Sequence, residues 1–549
     1  MQRVEVASKH RSYALFFLAG VLSLVLGFKL ACAIAGYPPT WVDEYVYVEP
    51  SVNFVNEGVF ASPGLARQME MKGLGGLDRH SFFNVPLAAY ARVPIYELFG
   101  TAQTGRRIAD WVFLVLAAGA LYFALRQWCS CEISTFCSII FILHKVVSND
   151  DRGRPDLLSL TFGLLAFVIL SKELQRGDNL VTTRRQAWTA LLMGFLIGLG
   201  GLSHQFGGVF WAVVIVIVKT TQDDRNLGWF KWAQWMLLFC LGGLAGISLW
   251  IPQIYSAPHI WAQQFFFMLN LKQHLLKGFH GSVVELVQDT IFRNPFVFIV
   301  LIAGLAVKRK NLAPGNIRMA LILCLAILAI WRCLSFEPYL QAYSIHFWAA
   351  ICLLLGLLTG DLISFVNARF TGARRLWIKN AIFGVVMLAG LNSLYTPLTE
   401  VFMMPSAKMR TDVIHLLQAN ISRPERVLAD PAYYFEVPST NKLAWMWTEK
   451  LDLKKIDALV AAYPSKQSVP AFPTRDQWIN CLTLEQSNVF MENYELEASL
   501  PPPAMTNSSF LGDLDGGLNA LTKKLGMANH HGPQLNGCYI YRNKHPIPN

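Results

Sequence analysis

The sequence predicts a polytopic α-helical membrane protein of about 11 transmembrane helices that ends in a small α/β domain outside the membrane. Of its 549 residues, 54% are hydrophobic and only 15% are charged, whereas an average soluble protein has about 25% charged residues. The mean hydropathy is +0.37. This composition excludes a disordered chain, a fibrous protein and a small disulfide-stabilised scaffold. The net charge of +11 lies entirely in residues 1–400, because residues 401–549 carry 14 basic and 14 acidic residues. We therefore expect a membrane module over 1–400 and an extracytoplasmic α/β domain over 401–549.

The spans and their orientation follow from hydropathy and charge. A helix that crosses a bilayer needs about 20 apolar residues. The segments that fit, the shorter ones included, lie near 13–35, 109–126, 133–148, 157–171, 186–203, 206–219, 231–252, 295–307, 318–334, 343–360 and 377–396. A cytoplasmic N-terminus is favoured, because it places 19 of the 33 basic residues of the module in short inside loops. The C-terminal domain is then periplasmic or extracellular, and we expect a bacterial inner membrane. The basic balance indicates lipid headgroups rather than nucleic acid as partners.

Two features of this topology have alternatives. Residues 186–219 can form one long helix or a hairpin, and the glycine-rich run 200–208 favours the hairpin. The apolar N-terminal segment can be the first span or a cleaved signal peptide, since Ala31-Cys32-Ala33 fits a cleavage pattern. Its length of about 23 apolar residues favours a span.

The first outer loop, residues 36–108, opens with Asp43 and Glu44. Adjacent carboxylates repel each other, which raises the pKa of one or recruits a cation. Both outcomes suit a general base or a metal ligand, and the alternative is an exposed acidic loop. Residues 82–100 predict a helix lying in the membrane interface. Arg106 and Arg107 then lead into the second span, where arginines commonly reach lipid headgroups.

A second polar stretch, residues 148–156, lies at the outer end of the third predicted span. Charged groups in a membrane rim are energetically costly and often functional. Arg152 and Arg154 can clamp a phosphate. Asp150, Asp151 or Asp156 can face a metal ion or an acceptor hydroxyl. Asp156 can also simply cap the next helix.

Two further outer segments carry candidate side chains. His204 sits at the outer tip of the 186–219 hairpin, where it is either structural or part of a site. The third outer loop, residues 253–294, contains Lys272 in a basic amphipathic turn. This turn either contacts lipid headgroups or forms a lid over an anionic lipid substrate.

The C-terminal domain has the composition of an ordinary soluble domain. Residues 427–430, 458–462 and 538–542 predict strands, and residues 412–418 and 518–525 predict amphipathic helices. Cys481 and Cys538 are the only cysteines of this domain. An oxidising extracytoplasmic compartment would permit a disulfide between them. The sequence alone leaves this pairing open.

The ordered set of these motifs resembles the integral-membrane C-type glycosyltransferases (GT-C superfamily). It is most similar to the branch that holds the protein O-mannosyltransferases and the lipid A aminoarabinose transferase. The resemblance covers about residues 13–395. One motif differs: where that branch usually has Lys-Pro-Pro or a similar pair, this sequence has Asn84-Val85-Pro86. The matching segments are Asp43-Glu44, Pro86–Tyr90, Leu98–Gly100, Arg106-Arg107, Arg154–Asp156, Gly198–His204 and Pro338–Leu340.

The resemblance implies sugar transfer from a polyprenyl-phosphate donor to a glycan, lipid or protein acceptor at the outer face, with inversion and with Asp43 as the base. We assign catalytic roles to Asp43, Glu44 and Asp156. Donor phosphate binding is assigned to Arg152, Arg154 and Lys272, and substrate binding to Tyr47, Arg92, His204 and Tyr339. Dependence on a divalent cation is left open. The alternatives are a polyprenyl-lipid or glycan transporter or flippase, and a non-catalytic scaffold.

Overall fold

A computed structural model gives the structure of the chain. It describes residues 2–36, 43–70, 73–82, 84–144, 147, 153–175, 183–223, 229–275, 299, 344–393, 406–430, 433–439, 441–444, 451–461, 471–472, 482–500 and 538–545. All structural statements below concern these residues.

Among the described residues of 1–400, all regular structure is helical. Two 3₁₀ turns, Ser248–Trp250 and Leu453–Lys455, lie among the described residues. Numbered in chain order, the α-helices are α1 Gln2–Ile34, α2 Asp43–Tyr47, α3 Glu49–Glu57, α4 Pro63–Glu70, α5 Leu87–Phe99, α6 Gln103–Arg126, α7 Cys131–Leu143, α8 Asp156–Gln175, α9 Thr183–Ser203, α10 Gln205–Asp223, α11 Trp229–Ile247, α12 Ile251–Ser256, α13 Pro258–Leu275, α14 Ser344–Arg369, α15 Gly372–Ser393, α16 Ser406–Asn420 and α17 Leu484–Asn493.

Six helical segments of the described chain are long and apolar enough to cross a membrane. At 1.5 Å per residue, a helix of about 20 residues spans the roughly 30 Å hydrocarbon layer. The shorter apolar helices Cys131–Leu143 and Gln205–Thr221 coincide with two of the shorter predicted spans. Apart from residue 299, the predicted spans 295–307 and 318–334 lie outside the described residues, so the total of about eleven stays a prediction. The six segments are Phe16–Ile34, Gln103–Arg126, Asp156–Gln175, Arg184–Ser203, Trp229–Ser256 and Ile345–Arg369.

Glycines determine how the central helices pack. A Cβ added to Gly194 of α9 would lie 1.9 Å from the Phe239 carbonyl oxygen of α11. One added to Gly208 of α10 would lie 2.6 Å from the Cα of Gly201 in α9. Only glycine permits such backbone contact. The second contact shows that α9 and α10 turn back on each other at His204, which confirms the predicted hairpin.

Helix α5 confirms the predicted helix within residues 82–100. Its Arg92 and Tyr96 are buried in the protein, whereas Leu98 and Phe99 at its end are exposed. Arg92 and Tyr96 therefore face the protein interior, whereas the C-terminal end of the helix presents an apolar surface.

The C-terminal domain is built on a five-stranded sheet of order β2-β1-β3-β7-β6. Strand β1 pairs in parallel with β2 and β3, and β7 pairs antiparallel with β3 and β6. The predicted strands near 427, 458 and 538 are confirmed, and the predicted helix 518–525 lies outside the described residues. The strands are β1 Arg426–Ala429, β2 Asn441–Ala444, β3 Ala458–Ala461, β4 Ala471–Phe472, β5 Leu482–Thr483, β6 Tyr494–Leu500 and β7 Cys538–Asn543.

Both faces of this sheet are buried. Successive residues of a strand point to opposite faces. Val427 and Val460 accordingly join a core with Val46 and Leu65 of the first outer loop, whereas residues such as Leu428 join a second core beneath α17. The sheet is thus docked on the first outer loop through its own hydrophobic core. Cys538 in β7 is a free, buried cysteine, and Cys481 lies outside the described residues.

Candidate functional site

A buried carboxylate stands where three helical elements meet. Asp156 is the first residue of α8 and is fully buried. The Arg154 guanidinium donates through Nε to Asp156 Oδ2 at 2.9 Å. An acidic residue in the first turn of a helix is stabilised by the helix dipole. A charge buried this deeply also requires partners, and the arginine two residues earlier is one of them.

Two histidines approach the other oxygen of this carboxylate. His204 Nδ1, at the tip between α9 and α10, lies 3.3 Å from Asp156 Oδ1. His346 Nε2, at the start of α14, lies 3.5 Å from the same oxygen. The three side chains come from sequence positions far apart, and they are buried together.

This cluster has the composition of a metal site. Among the described residues, Asp156, His204 and His346 form the group whose ligand atoms all lie within 4.8 Å of one another. Two imidazoles and a carboxylate are common ligands of zinc and similar cations. A further contact limits this interpretation, because the Trp211 indole donates through Nε1 to His346 Nδ1 at 3.3 Å.

The loop before α8 is held by a second group of buried charges. Arg92 donates through Nη2 to the Arg154 carbonyl oxygen at 2.9 Å. Asp110 Oδ2 accepts the Gly153 backbone N–H at 3.2 Å and the Arg107 guanidinium at 3.0 Å. Gly153 has a φ of +66°, and a Cβ there would lie 2.5 Å from Glu44 Cγ. The chain at Gly153, shortly before α8, therefore follows a path that only glycine fits.

Glu44 is the carboxylate at the centre of this second group. Arg107 donates to Glu44 Oε1 at 2.5 Å, and Arg106 Nε lies 3.5 Å from Glu44 Oε2. Arg106 also pairs with Glu436 at 3.3 Å and lies over the Phe435 ring at 4.0 Å. The expectation that both arginines reach lipid headgroups is wrong, because they are buried against Glu44.

The structure brings several predicted site residues together. Tyr47 of α2 lies beside both Arg154 and His204: the guanidinium carbon of Arg154 is 5.3 Å from the Tyr47 ring centre, and the His204 ring centre is 6.4 Å from it. Arg92 supports the loop of Arg154, as described above. The remaining predicted residues have side chains outside the described part of the structure: Asp43, Arg152, Lys272 and Tyr339.

Three residues of this region were not identified from the sequence. Asp110, Trp211 and His346 each lie inside an apolar helix. A titratable residue within a membrane span is a functional candidate by default, and this signal was present for Asp110 and His346. Trp211 gives no such signal, because a tryptophan in an apolar helix is usually a packing residue.

Comparisons with known proteins identify the fold. No protein-family model and no curated protein matches the sequence. The crystal structure of apo ArnT from Cupriavidus metallidurans aligns with a TM-score of 0.57 and 13% identity, over 99% of this chain and 100% of that chain. ArnT bound to undecaprenyl phosphate aligns with a TM-score of 0.55 and 15% identity, over 77% of this chain and 84% of that chain. The apo oligosaccharyltransferase of Archaeoglobus fulgidus gives 0.54 and 10%, over 96% of this chain and 89% of that chain.

These structures are GT-C superfamily glycosyltransferases. The fold resemblance that the sequence motifs indicate is therefore confirmed. The same fold, together with the six apolar helices, makes the chain a multi-pass membrane protein.

Proposed function

We propose that this chain is a membrane glycosyltransferase that moves a sugar from a polyprenyl-phosphate donor to an acceptor at the outer face of the membrane. The observation that carries the proposal is the buried ion pair of Asp156 and Arg154, with His204 beside it, at one end of the central helix α8. Charges buried at this depth cost free energy, which a purely structural helix end would not need. The GT-C fold supports the same reaction class, and the neighbour bound to undecaprenyl phosphate supports the donor class.

The reaction needs a base and a phosphate site. The acceptor hydroxyl or amine loses a proton, its oxygen or nitrogen forms a bond to the anomeric carbon, and the bond from that carbon to the phosphate oxygen breaks. The polyprenyl phosphate leaves with the electron pair, and attack from the opposite face inverts the anomeric centre. Cationic groups must stabilise the departing phosphate, and we assign this to Arg154, together with Arg152 and Lys272. Tyr47, Arg92, His204 and Tyr339 are assigned to substrate binding or to its support.

Asp43 is our candidate for the base. It is the first residue of α2, and its neighbour Glu44 is held by two arginines. Tyr47, one turn later, lies against Arg154. These contacts fix the short helix beside the phosphate-binding arginine, so the start of α2 is near the place where the sugar would react. Glu44 itself has both oxygens near arginines and is better suited to hold this geometry than to accept a proton.

The proposed orientation has independent support from packing. The C-terminal sheet shares a core with residues of the first outer loop, so both lie on the same side of the membrane. An outer C-terminal domain and a cytoplasmic N-terminus agree with this and with the distribution of basic loops. We also propose that the membrane module and the C-terminal domain meet near residue 400. The membrane is the bacterial inner membrane, and the acceptor is a glycan, a lipid or a protein.

The first experiment identifies the donor. Native mass spectrometry of the detergent-purified protein should detect a polyprenyl phosphate, with or without a pentose or hexose. Arg154→Ala should lose this lipid. Bulk phospholipid alone, even after polyprenyl-phosphate sugars are added, would contradict the proposed donor class.

The second experiment tests the chemistry in proteoliposomes with labelled polyprenyl-phosphate sugars. Asp43→Asn should lower the turnover number by about 10²- to 10⁴-fold, the usual contribution of a general base, and should keep the lipid bound. The exposed outer-loop residue Asp78 supplies the control, and Asp78→Asn should retain wild-type turnover. Movement of the labelled lipid across the bilayer without sugar transfer would instead identify a flippase.

A further inference from the structure

The protonation pattern of His346 can be read from its neighbour Trp211. Both side chains are fully buried, and the indole nitrogen Nε1 lies 3.3 Å from His346 Nδ1 with hydrogen-bond geometry. An indole N–H can only donate. His346 Nδ1 must therefore accept, and a neutral imidazole has its single hydrogen on the other nitrogen. Nε2, the nitrogen that faces Asp156, thus carries that hydrogen.

This tautomer conflicts with a metal ion held by all three side chains. Zinc bonds of about 2.0–2.1 Å place tetrahedral ligands roughly 3.4 Å apart, and the separations of 3.3 and 3.5 Å from Asp156 Oδ1 fit that spacing. Binding a metal through His346 Nε2, however, requires a lone pair there and moves the hydrogen to Nδ1. That hydrogen would point at the indole hydrogen of Trp211. The donor set on this ring does not fit a cation.

Packing holds both rings in this arrangement. A Cβ added to Gly163 of α8 would lie 2.2 Å from Trp211 Cγ, and one added to Gly207 of α10 would lie 2.5 Å from His346 Cε1. Phe210 packs against both rings, with centre-to-centre distances of 5.5 and 5.8 Å. The two glycines provide the space for the rings, and the dense packing leaves little room for the imidazole to turn over.

We propose that Trp211 and His346 are positioning residues of the transferase site: Trp211 fixes the tautomer of His346, His346 directs an N–H at Asp156 Oδ1, and Asp156 Oδ2 holds the Nε of Arg154. The result is a buried relay that aims the arginine assigned to the donor phosphate. Asp156 then acts through Arg154 and serves neither as a base nor as a cation ligand with His346. This role rests on the proposed function, whereas the tautomer and the absence of a metal bond to His346 do not.

Substitutions of His346 separate the two interpretations. The amide nitrogen of glutamine can occupy the place of imidazole Nε2 and donate a hydrogen, but a side-chain amide is a poor ligand for zinc. His346→Gln should therefore keep the rate of sugar transfer within about tenfold of wild type, whereas His346→Ala should lose about 10²-fold, as the loss of one preorganised donor does. Equal loss in both variants, at unchanged thermal stability, would overturn the proposal.

Trp211→Phe gives the second comparison. It removes the indole hydrogen that fixes the tautomer, so it should lower transfer, and Trp235→Phe should not. Trp235 is the matched control, because it is also a buried tryptophan, but it packs near Lys219 at the other end of the bundle. Equal activity of the two variants would contradict the relay.

Two measurements test the inference without any transfer activity. Nitrogen NMR of protein labelled with ¹⁵N-histidine, with His346→Gln to assign the signal, should show His346 protonated on Nε2. Trp211→Phe should populate the other tautomer. Titration with Zn²⁺ or Mn²⁺ should show no binding that His346→Gln abolishes. A protonated Nδ1 in His346, or a bound cation that His346→Gln loses, would refute the inference even if the donor class were correct. An inactive protein with the expected tautomer would contradict only the proposed function.

Discussion

Replacing Glu49 by glutamine tests how the first outer loop and the C-terminal domain are joined. Glu49 begins α3 and is buried. Its Oε1 accepts the Gly64 backbone N–H at 3.1 Å and a short hydrogen bond from the Tyr434 hydroxyl. The Lys442 ammonium lies over the Tyr434 ring at 5.1 Å and donates to the Val437 carbonyl oxygen at 3.0 Å. One carboxyl group thus ties the loop to the sheet domain.

The protonation of this carboxyl group should set the pH dependence of the junction. Burial raises the pKa of Glu49 from its ordinary 4.5 to about 7, against the lowering effects of the Tyr434 and Gly64 hydrogen bonds and of Lys442. The folded protein therefore holds the proton more tightly than the unfolded chain. The stabilisation is complete below about pH 4.5, falls as the pH rises and is lost above about pH 7. At 1.36 kcal/mol per pH unit, the loss over this window is roughly 3 kcal/mol.

Thermal unfolding in detergent between pH 4.5 and 8.5 measures this loss. The wild-type Tm should fall by roughly 6–12 °C across the window, since about 1 kcal/mol shifts the Tm of a domain of roughly 150–250 residues by about 2–4 °C. Glu49→Gln has no titrating group there, so its curve should be flatter by that amount. Glu57, exposed at the end of the same helix, provides the control, and Glu57→Gln should follow the wild type. If Glu49→Gln showed the wild-type pH dependence, the buried carboxyl group would not control the junction.

Three other changes have directions that the structure determines. Glu44→Gln leaves two buried arginines without their shared carboxylate and should cost about 3–5 kcal/mol, seen as a lower Tm and yield. Gly242→Ala would place a Cβ 2.1 Å from a backbone carbonyl oxygen of α9 and should separate α9 from α11. Gly243→Ala is the control and should fold normally, because the nearest atom to its Cβ lies 3.7 Å away. Equal folding yields of the two variants would refute this packing. Lys219→Met removes the amine that contacts the buried Glu173 carboxylate at 2.8 Å, so the Tm should fall. Adding Glu173→Met should restore much of the lost Tm. An unchanged Tm in Lys219→Met would show that the pair is solvated.

The elements that the sequence predicts well are those decided by local composition. Long apolar runs have to be helices in a membrane, because only a helix satisfies its own backbone there. The glycine run at 200–208 identifies the hairpin, because close backbone packing needs residues without side chains. The strands near 427, 458 and 538 are short apolar runs that are buried on both faces of the sheet, a pattern that is also local.

The partners of the charged residues could not be predicted in the same way. Arg106 and Arg107 have the sequence context of headgroup-binding residues, and only the fold shows that Glu44 lies against them. His346 is 190 residues from Asp156 in the chain, and their contact depends on how α8 and α14 pack. The role of Trp211 depends on which imidazole nitrogen it contacts, which no sequence pattern contains.

Charge balance at the buried centre indicates that the proposed donor site needs further basic residues. The buried arginines of this region are matched in number by carboxylates that contact them, so the cluster is close to neutral before a substrate arrives. A phosphate adds negative charge, and in a site of low dielectric an uncompensated charge is costly. Arg152 and Lys272 are the predicted sources of the extra positive charge, and the described pairs then serve to orient Arg154. The four pairs are Arg92–Asp110, Arg106–Glu436, Arg107–Glu44 and Arg154–Asp156.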